Sequence, residues 1–312
     1  MQVKEVPEVT HSAIKPLTYK NVLAAVDIGG SENQMLTYLS FWSRFVPLQF
    51  LQCLHVVPET TFLAGLFEKD LKQLPSDPSL TQQVESLLQN IVREHFRDRK
   101  EIELTYQVSE GDPLDILLEA SHKANADLLV IGQRHGKSHQ GILAKKLVRK
   151  STCDTLIVPD SAPDTIRQIL VPIDFSSHSG RALQRAIALA NRLDNEAEIS
   201  TLYVYSIPNM SAYQIDRTFE EYRSILLENL HDAQDAFLNK YVPQDKDRIH
   251  NELVEKDMPG TARYLKQFAE QANTDFVIMG AKGHSKVDRL LLGSVTEAFL
   301  MINDNIPTLI TH

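Results

Sequence analysis

Phe276-Val277-Ile278-Met279-Gly280-Ala281-Lys282-Gly283, followed after nine further residues by Gly293-Ser294, is a short apolar strand-like run feeding a glycine loop. Two glycines three apart permit positive φ and let backbone N–H groups approach a ligand closely, and the Gly-Ser pair can open a helix. A helix N-terminus carries roughly half a positive charge and several unpaired N–H donors, so Ser294 and Val295 suit phosphate oxygens, with Lys282 as a mobile counter-charge. The spacing is neither G-x-x-x-x-G-K-[ST] nor G-x-G-x-x-G, so the P-loop and dinucleotide mechanisms lose their sequence support. Taken alone, the loop also reads as a plain glycine-rich turn.

The surroundings of this loop occur twice. Asn21-Val22-Leu23-Ala24-Ala25-Val26-Asp27 reappears as Gln168-Ile169-Leu170-Val171-Pro172-Ile173-Asp174, an offset of 147 measured from Asp27 to Asp174. Ala126-Asp127-Leu128-Leu129-Val130-Ile131-Gly132 reappears as Thr274-Asp275-Phe276-Val277-Ile278-Met279-Gly280, an offset of 148 measured from Gly132 to Gly280. A period this long is a whole domain, since solenoid repeats run roughly 20 to 50 residues. The 312-residue length agrees with two domains of about 150 residues each. The reading divides the chain into an N-terminal extension (1–16), a first domain (17–159), a linker (160–167) and a second domain (168–312).

Within the second half, Ile169 to Ile173 reads as a strand, Asp174-Phe175-Ser176-Ser177 supplies turn and N-cap chemistry, and the apolar spacing predicts a helix from about Ser179 to Arg192. Strands over Glu198 to Val204 and Ile249 to Val254 flank a long amphipathic helix from near Asp216 to Tyr241, with Ile225, Leu230 and Phe237 among its expected core contacts. A helix through Leu265, Phe268 and Ala272 precedes the strand ending at Met279. The first half follows the same order, with strands near Val22 to Val26, Phe50 to Val57, Glu103 to Val108, Leu128 to Ile131 and Thr155 to Val158. Its second helix is marked by Val84, Leu87, Leu88 and Ile91. Such alternation gives an α/β fold: two repeated doubly wound domains, each a five-stranded, mostly parallel sheet with helices on both faces. Ligands then sit at the carboxyl ends of the strands. The short final strands, Thr155 to Val158 and Thr308 to Thr311, are expected to pair across a two-fold axis, packing the halves as an internal pseudo-dimer.

Apolar residues at 43% and charged residues at 23% are ordinary for a globular chain and argue against disorder. A net charge of −9 opposes a broad nucleic-acid surface. No run approaches a membrane span, and the acidic N-terminus lacks a signal-peptide pattern, so a cytoplasmic protein with no membrane or nucleic-acid partner is expected. Cys53, in a predicted strand, and Cys153, in a loop, fit reduced thiols.

These residues carry a resemblance. The Val171-Pro172-Ile173-Asp174-Phe175-Ser176 turn, the Leu54-His55-Val56-Val57 strand and the loop ending Gly293-Ser294-Val295-Thr296 resemble those of a tandem universal stress protein, over nearly everything after Pro16. The spacing G-x-x-G, nine residues, G-[ST] is similar to the ATP-binding signature of one branch of that family. The resemblance implies ATP in the second domain, with a divalent metal such as Mg²⁺ bridging its phosphates. Pro172 and Asp174 would border the adenosine, Val204 would contact the adenine, and Met279 and Gly280 would flank the ribose. Gly283, Gly293, Ser294, Val295 and Thr296 would surround the phosphates. Asp174 has a second reading as a helix N-cap, and Val204 and Met279 as plain core.

The first half departs from the pattern. Its loop reads Gly132-Gln133-Arg134-His135-Gly136 and then Gly141-Ile142, four residues shorter, with Ile142 in place of the serine hydroxyl if the glycines are paired. ATP is expected to fit poorly there. Gly29-Gly30-Ser31 offers an anion cradle or a flexible turn, and His135 and His139, four apart, lack a third metal ligand nearby. The functional expectation is a stress-response protein acting as a nucleotide-dependent binding or regulatory module, with an adenine nucleotide and an unidentified protein as partners and a further homodimer as a possible assembly. Two alternatives stay open: a slow ATPase or ATP-using transferase, assisted by Asp288 and Arg289, and a scaffold independent of nucleotide.

Overall fold

The computed structural model describes residues 14–28, 32–57, 78–133, 138–194, 196–207, 219–283 and 292–312. In the first half the elements run β1 (Tyr19–Ala25), α1 (Glu32–Trp42), β2 (Leu48–Val57), α2 (Pro78–His95), β3 (Glu103–Glu110), α3 (Pro113–Lys123), β4 (Leu128–Gln133), α4 (Ser138–Lys150) and β5 (Asp154–Pro159). The second half repeats the order with β6 (Gln168–Pro172), α5 (Ser177–Arg192), β7 (Glu198–Tyr205), α6 (Phe219–Tyr241), β8 (Ile249–Glu255), α7 (Thr261–Gln271), β9 (Phe276–Gly280), α8 (Ser294–Ile302) and β10 (Thr308–Thr311).

All ten strands form one sheet in the order β3-β2-β1-β4-β5-β10-β9-β6-β7-β8. Neighbours within each half are parallel, and the two halves meet where β5 and β10 pair antiparallel, Leu156 opposite Leu309. The expected seam between the final strands is therefore present. Two free strand edges, one from each half, are hidden by a single ladder.

The repeat is legible in the hydrogen bonds that start each half. Asp127 accepts the backbone N–H groups of Lys20 and Asn21 at 2.7 and 3.0 Å. Asp275 accepts those of Arg167 and Gln168 at 2.8 and 3.0 Å. Each Asp precedes β4 or β9 and fastens the entry of its neighbour, β1 or β6. A side-chain oxygen there satisfies backbone donors that the ladder has not yet reached.

Strand residues alternate between two cores, as the period of two requires. Along β9, Phe276 and Ile278 join the core that holds Leu36, Trp42, Leu183 and Phe237, while Val277 and Met279 join the one that holds Leu117, Leu147, Leu265 and Phe299. Thus α1, α2, α5 and α6 cover one face and α3, α4, α7 and α8 the other, and both cores run through both halves. Two expected core contacts are exposed: Leu87 at 47% and Ile225 at 38%. Their neighbours Leu88 and Leu230 take the buried positions, because a helix on a sheet buries one stripe and leaves apolar residues beside it in water. Cys53 and Cys153 are both buried free thiols, and burial pushes the Cys53 thiol up to about 12.

Candidate functional site

In each half the chain leaves the central strand (β1 or β6) to one side and returns on the other, so β6 and β9 flank a point where the winding reverses. Such a point leaves a crevice beyond the carboxyl ends of the strands. The register of β6 with β9 ends at Leu170 opposite Val277, whereas β1 stays paired with β4 as far as Ala25 opposite Ile131. Pro172 stands where the first half has Ala25. Lacking an N–H, it cannot donate to a ladder.

A cavity of about 280 Å³ opens there. All eleven residues singled out from the sequence line it: Pro172, Asp174, Val204, Met279, Gly280, Lys282, Gly283, Gly293, Ser294, Val295 and Thr296. Ile173, Ser179, Leu202, Tyr203, Thr261 and Leu265 line it as well. The apolar part is built from the ends of β6, β7 and β9 and the first turns of α7. The polar part is built from the loop after β9 and the start of α8.

Asp174 is not the helix cap. Ser176 caps α5, its Oγ accepting the Ser179 N–H at 3.2 Å, while Asp174 Oδ1 accepts the Ser176 N–H at 3.1 Å. Between them Phe175 has φ +63°, a left-handed conformation that bulky residues rarely adopt. Its ring lies against Tyr203 and Phe237 with centroids 4.6 and 5.8 Å apart, and this stacking holds the turn. Strained backbone held by its surroundings is typical of functional sites.

The loop glycines serve close approach rather than positive φ. Among the described residues the positive-φ glycines are Gly111 and Gly260. A Cβ on Gly283 would fall 2.5 Å from Asp174 Oδ2, and one on Gly280 would fall 2.8 Å from the His178 Cβ. Gly280 thus lets β9 pack on the first turn of α5, and Gly283 lets the loop pass directly over Asp174. Gly293 meets nothing nearer than 3.5 Å.

Several polar groups of the loop are engaged internally. Gly293 N–H donates to the Ala281 carbonyl at 2.8 Å, Ala281 N–H to Thr311 O at 2.9 Å, and the buried Thr296 Oγ1 to Gly280 O at 2.9 Å. These bonds clamp the loop's two ends onto β9 and β10. The Thr296 hydroxyl and Gly293 amide are therefore structural, and the first-turn amides of Ser294, Val295 and Thr296 form the donor face. Among the described residues no side chain caps this helix, whose N-cap Gly293 has φ −60° and ψ 136°. A helix start without a side-chain cap directs unsatisfied N–H groups and positive dipole at the cavity.

Arg181 and Lys282 place positive charge around His178, opposed by Asp174, although the chain is acidic. Burial lowers the affinity of His178 for a proton, and the charges of Arg181 and Lys282 lower it further. Arg181 also contacts His178 directly, at 2.8 Å. Asp174 is the carboxylate lining the cavity. Among the described residues no group of three or more His, Cys, Asp or Glu side chains could hold a metal. His135, His284, Asp288, Arg289, Gly29, Gly30 and Ser31 lie outside the described residues, as does the side chain of His139.

In the first half, α4 begins at Ser138, so Gly141 lies within the helix rather than at its cap. Pairing Gly141 with Gly293 by sequence is thus not matched by pairing of helix starts. By helical geometry the N–H of Ile142 points to the carbonyl of residue 138. The amides that face the second cavity are, at these positions of the first half, inside the helix ladder.

The Universal stress protein family model matches residues 18–159 and again 165–302, and the chain belongs to that family. A universal stress protein of Methanocaldococcus jannaschii is 30% identical over 146 residues, covering 46% of this chain and 81% of the relative. The crystal structure of a universal stress protein from Archaeoglobus fulgidus superposes with a TM-score of 0.59 at 16% identity, covering 93% of this chain and 96% of that one. A Pseudomonas aeruginosa protein described as functionally unknown superposes with a TM-score of 0.61 at 13% identity, covering 93% and 91% of the two chains. These two share the whole tandem fold. Among the described residues, no helix is long and apolar enough to cross a membrane.

Proposed function

We propose that the second domain binds ATP and that the protein works as a nucleotide-dependent binding or regulatory module. In this reading the adenine rests on the apolar strand ends by Val204, the ribose lies between Asp174 and Met279–Gly280, and Pro172 closes the edge. The phosphates face Lys282, Gly283 and the amides of Ser294, Val295 and Thr296, next to Gly293. A divalent cation such as Mg²⁺ fits beside Asp174, since that ion binds through one or two carboxylates together with phosphate oxygens. The observation that carries the reading is the join of two chemistries in one cavity: an apolar slot ending at a carboxylate, and a helix start with no side-chain cap beside a lysine.

Binding rather than turnover is favoured by the lining. Among the described lining residues Asp174 is the one carboxylate and there is no histidine, so these residues offer no general base separate from the ribose contact. Regulation follows from position. The first turn of α8 carries Glu297, which holds Lys145 at 3.0 Å and Arg149 at 2.9 Å on α4 of the other half. A ligand that binds one arrangement of this turn better than another shifts the surface that α4 and α8 present together.

Calorimetry of nucleotide-stripped protein with ATP and Mg²⁺ tests this. One molar equivalent is expected to bind, weakened at least about tenfold by Asp174→Ala, with phosphate release at background. A flat titration overturns the reading. Steady phosphate release abolished by Asp174→Ala turns the module into an enzyme.

A further inference from the structure

Of the six large apolar side chains that stand exposed among the described residues, three belong to two neighbouring helices: Ile142 on α4, and Met301 and Ile302 on α8. Each of these helices links two parallel strands and so runs counter to them, and because β5 and β10 are antiparallel, α4 and α8 are antiparallel as well. Glu297 holds them side by side through Lys145 and Arg149. The Ile142 end of α4 therefore lies along the Met301 and Ile302 end of α8, as one apolar patch.

The other end of α4 is basic. Within Ser138–Lys150 the helix carries Lys145, Lys146, Arg149 and Lys150 and no acid, in a chain whose net charge is −9. Lys146, Arg149 and Lys150 are exposed, and at four, seven and eight residues beyond Ile142 they continue its stripe. The surface formed by α4 and α8 is thus apolar at one end and cationic at the other.

Helix α6 carries the complement. It has five acids against Arg223 and Lys240. Glu221, Ile225, Glu228, Asp232 and Asp235 follow one another at steps of four, three, four and three, which puts them on one stripe, and all five are exposed. Ile225 is a fourth member of the exposed apolar set. The spacings agree with those of α4: at 1.5 Å per residue, Ile225 to Asp232 covers about 10.5 Å and Ile142 to Lys150 about 12 Å, while Glu228 to Asp232 and Lys146 to Lys150 each cover about 6 Å.

We propose that the surface of α4 and α8 is a socket for α6 of a second copy of this chain, with Ile225 seated on Ile142 and Met301, and Glu228 and Asp232 facing Lys146 and Lys150. An anionic bilayer suits the patch less well, since it repels a chain of net charge −9. Stripe and socket lie on opposite faces of the sheet, α6 with α5 and α4 with α8. One two-fold pair of copies cannot make both contacts at once, so the association runs head to tail. Exposed ion pairs contribute little singly and are screened by salt, so it is weak and strongest at low ionic strength.

Sedimentation velocity of the full chain, with no nucleotide added, tests this. At low ionic strength the average mass is expected to rise with concentration beyond that of a dimer, and added salt to reverse the rise. Lys146→Glu with Lys150→Glu, and in a second protein Glu228→Lys with Asp232→Lys, are each expected to weaken association at least about tenfold. Circular dichroism and an unchanged monomer sedimentation coefficient certify that both variants are folded. Mixing the two is expected to restore association, because each supplies the native surface that the other lacks. Monomers at every concentration, a mass that stops at the dimer, association that neither double variant weakens, or a mixture of the folded variants that stays monomeric overturns the proposal.

Discussion

Gly283 and Asp174 are so close that a side chain on the glycine would begin 2.5 Å from the carboxylate Oδ2, well inside van der Waals contact. The glycine is there because the loop crosses directly over the acid, and neither its sequence spacing nor its backbone angles alone say so.

The two loop glycines that look equivalent in sequence should therefore respond differently. Gly283→Ala has to move either the loop or Asp174, and is expected to weaken ATP binding at least about tenfold, or 1.4 kcal/mol. Gly293→Ala, with 3.5 Å of room and an ordinary φ of −60°, should stay within about threefold of the parent. Calorimetry on the two variants checks this, and equal losses would show that Gly283 has no special closeness to the acid in solution.

Asp154 ties the halves together at the start of β5. It accepts from the Tyr19 hydroxyl at 2.7 Å and the His312 backbone N–H at 3.1 Å, and it pairs with Arg185 of α5 at 3.3 Å, with its side chain only 7% exposed. Removing the acid strands three donors, one of them a charge. Asp154→Ala should cost about 3 kcal/mol in urea unfolding. Asp154→Asn, which keeps an acceptor and the packing, should cost less. A loss below about 0.5 kcal/mol for the alanine variant would mean that the cluster does not hold the halves.

Acid should loosen the region below the glycine loop before it protonates the surface carboxylates. Burial sets His312 below the ordinary histidine value of 6.5, with Asp154 opposing and Lys282, His178 and Arg181 adding to the shift. His178 is lowered likewise, by burial and then by Arg181 and Lys282. A histidine with a depressed folded pKa is protonated first in the unfolded chain, so the unfolded state binds more protons once pH falls through about 6.5 and stability drops from there downward. Glu297 works at lower pH, because its hydrogen bond to Lys145 holds it below the usual carboxylate range. Thermal melts between about pH 7.5 and 5.5 should show a falling midpoint, with a shallower slope in His312→Gln. An unchanged slope in that variant would remove His312 from the explanation.

The repeat, the strand ends, Asp174, Lys282, the loop glycines, Ser294 and Val295 were legible because each rests on residue type at a fixed spacing: apolar runs, an Asp after a strand, glycines before a helix; Pro172, Val204, Met279 and Thr296 rested on the family resemblance. Ser179, Thr261 and Leu265 were not legible, since they reach the cavity from other elements, and Tyr203, beside Val204 on β7, carries no mark of its own. Extending the repeat from Pro113 and Leu117 would have pointed to Thr261 and Leu265. The start of α4 was hidden for another reason: pairing Gly141 with Gly293 would make it a helix cap, whereas the helix begins at Ser138 with that glycine in its interior. Nor does any local pattern mark Asp154, whose hydrogen-bond partners Tyr19 and His312 lie 135 and 158 residues away in the chain.

The seam itself offers the remaining test. At its centre Leu309 of β10 faces Leu156 of β5, both fully buried, and the pair sits where the two halves share one sheet. Leu309→Ala removes buried carbons from a tightly packed site on a strand held on both sides, where collapse is limited. A loss of about 3 kcal/mol is expected. Because both cores run across the seam, unfolding should stay a single transition in which fluorescence from Trp42 in the first half and far-ultraviolet circular dichroism from both halves coincide. If the alanine variant instead unfolds in two steps, with Trp42 reporting only one of them, the halves are separable units that touch along β5 and β10, and the continuous sheet contributes little to their mutual stability.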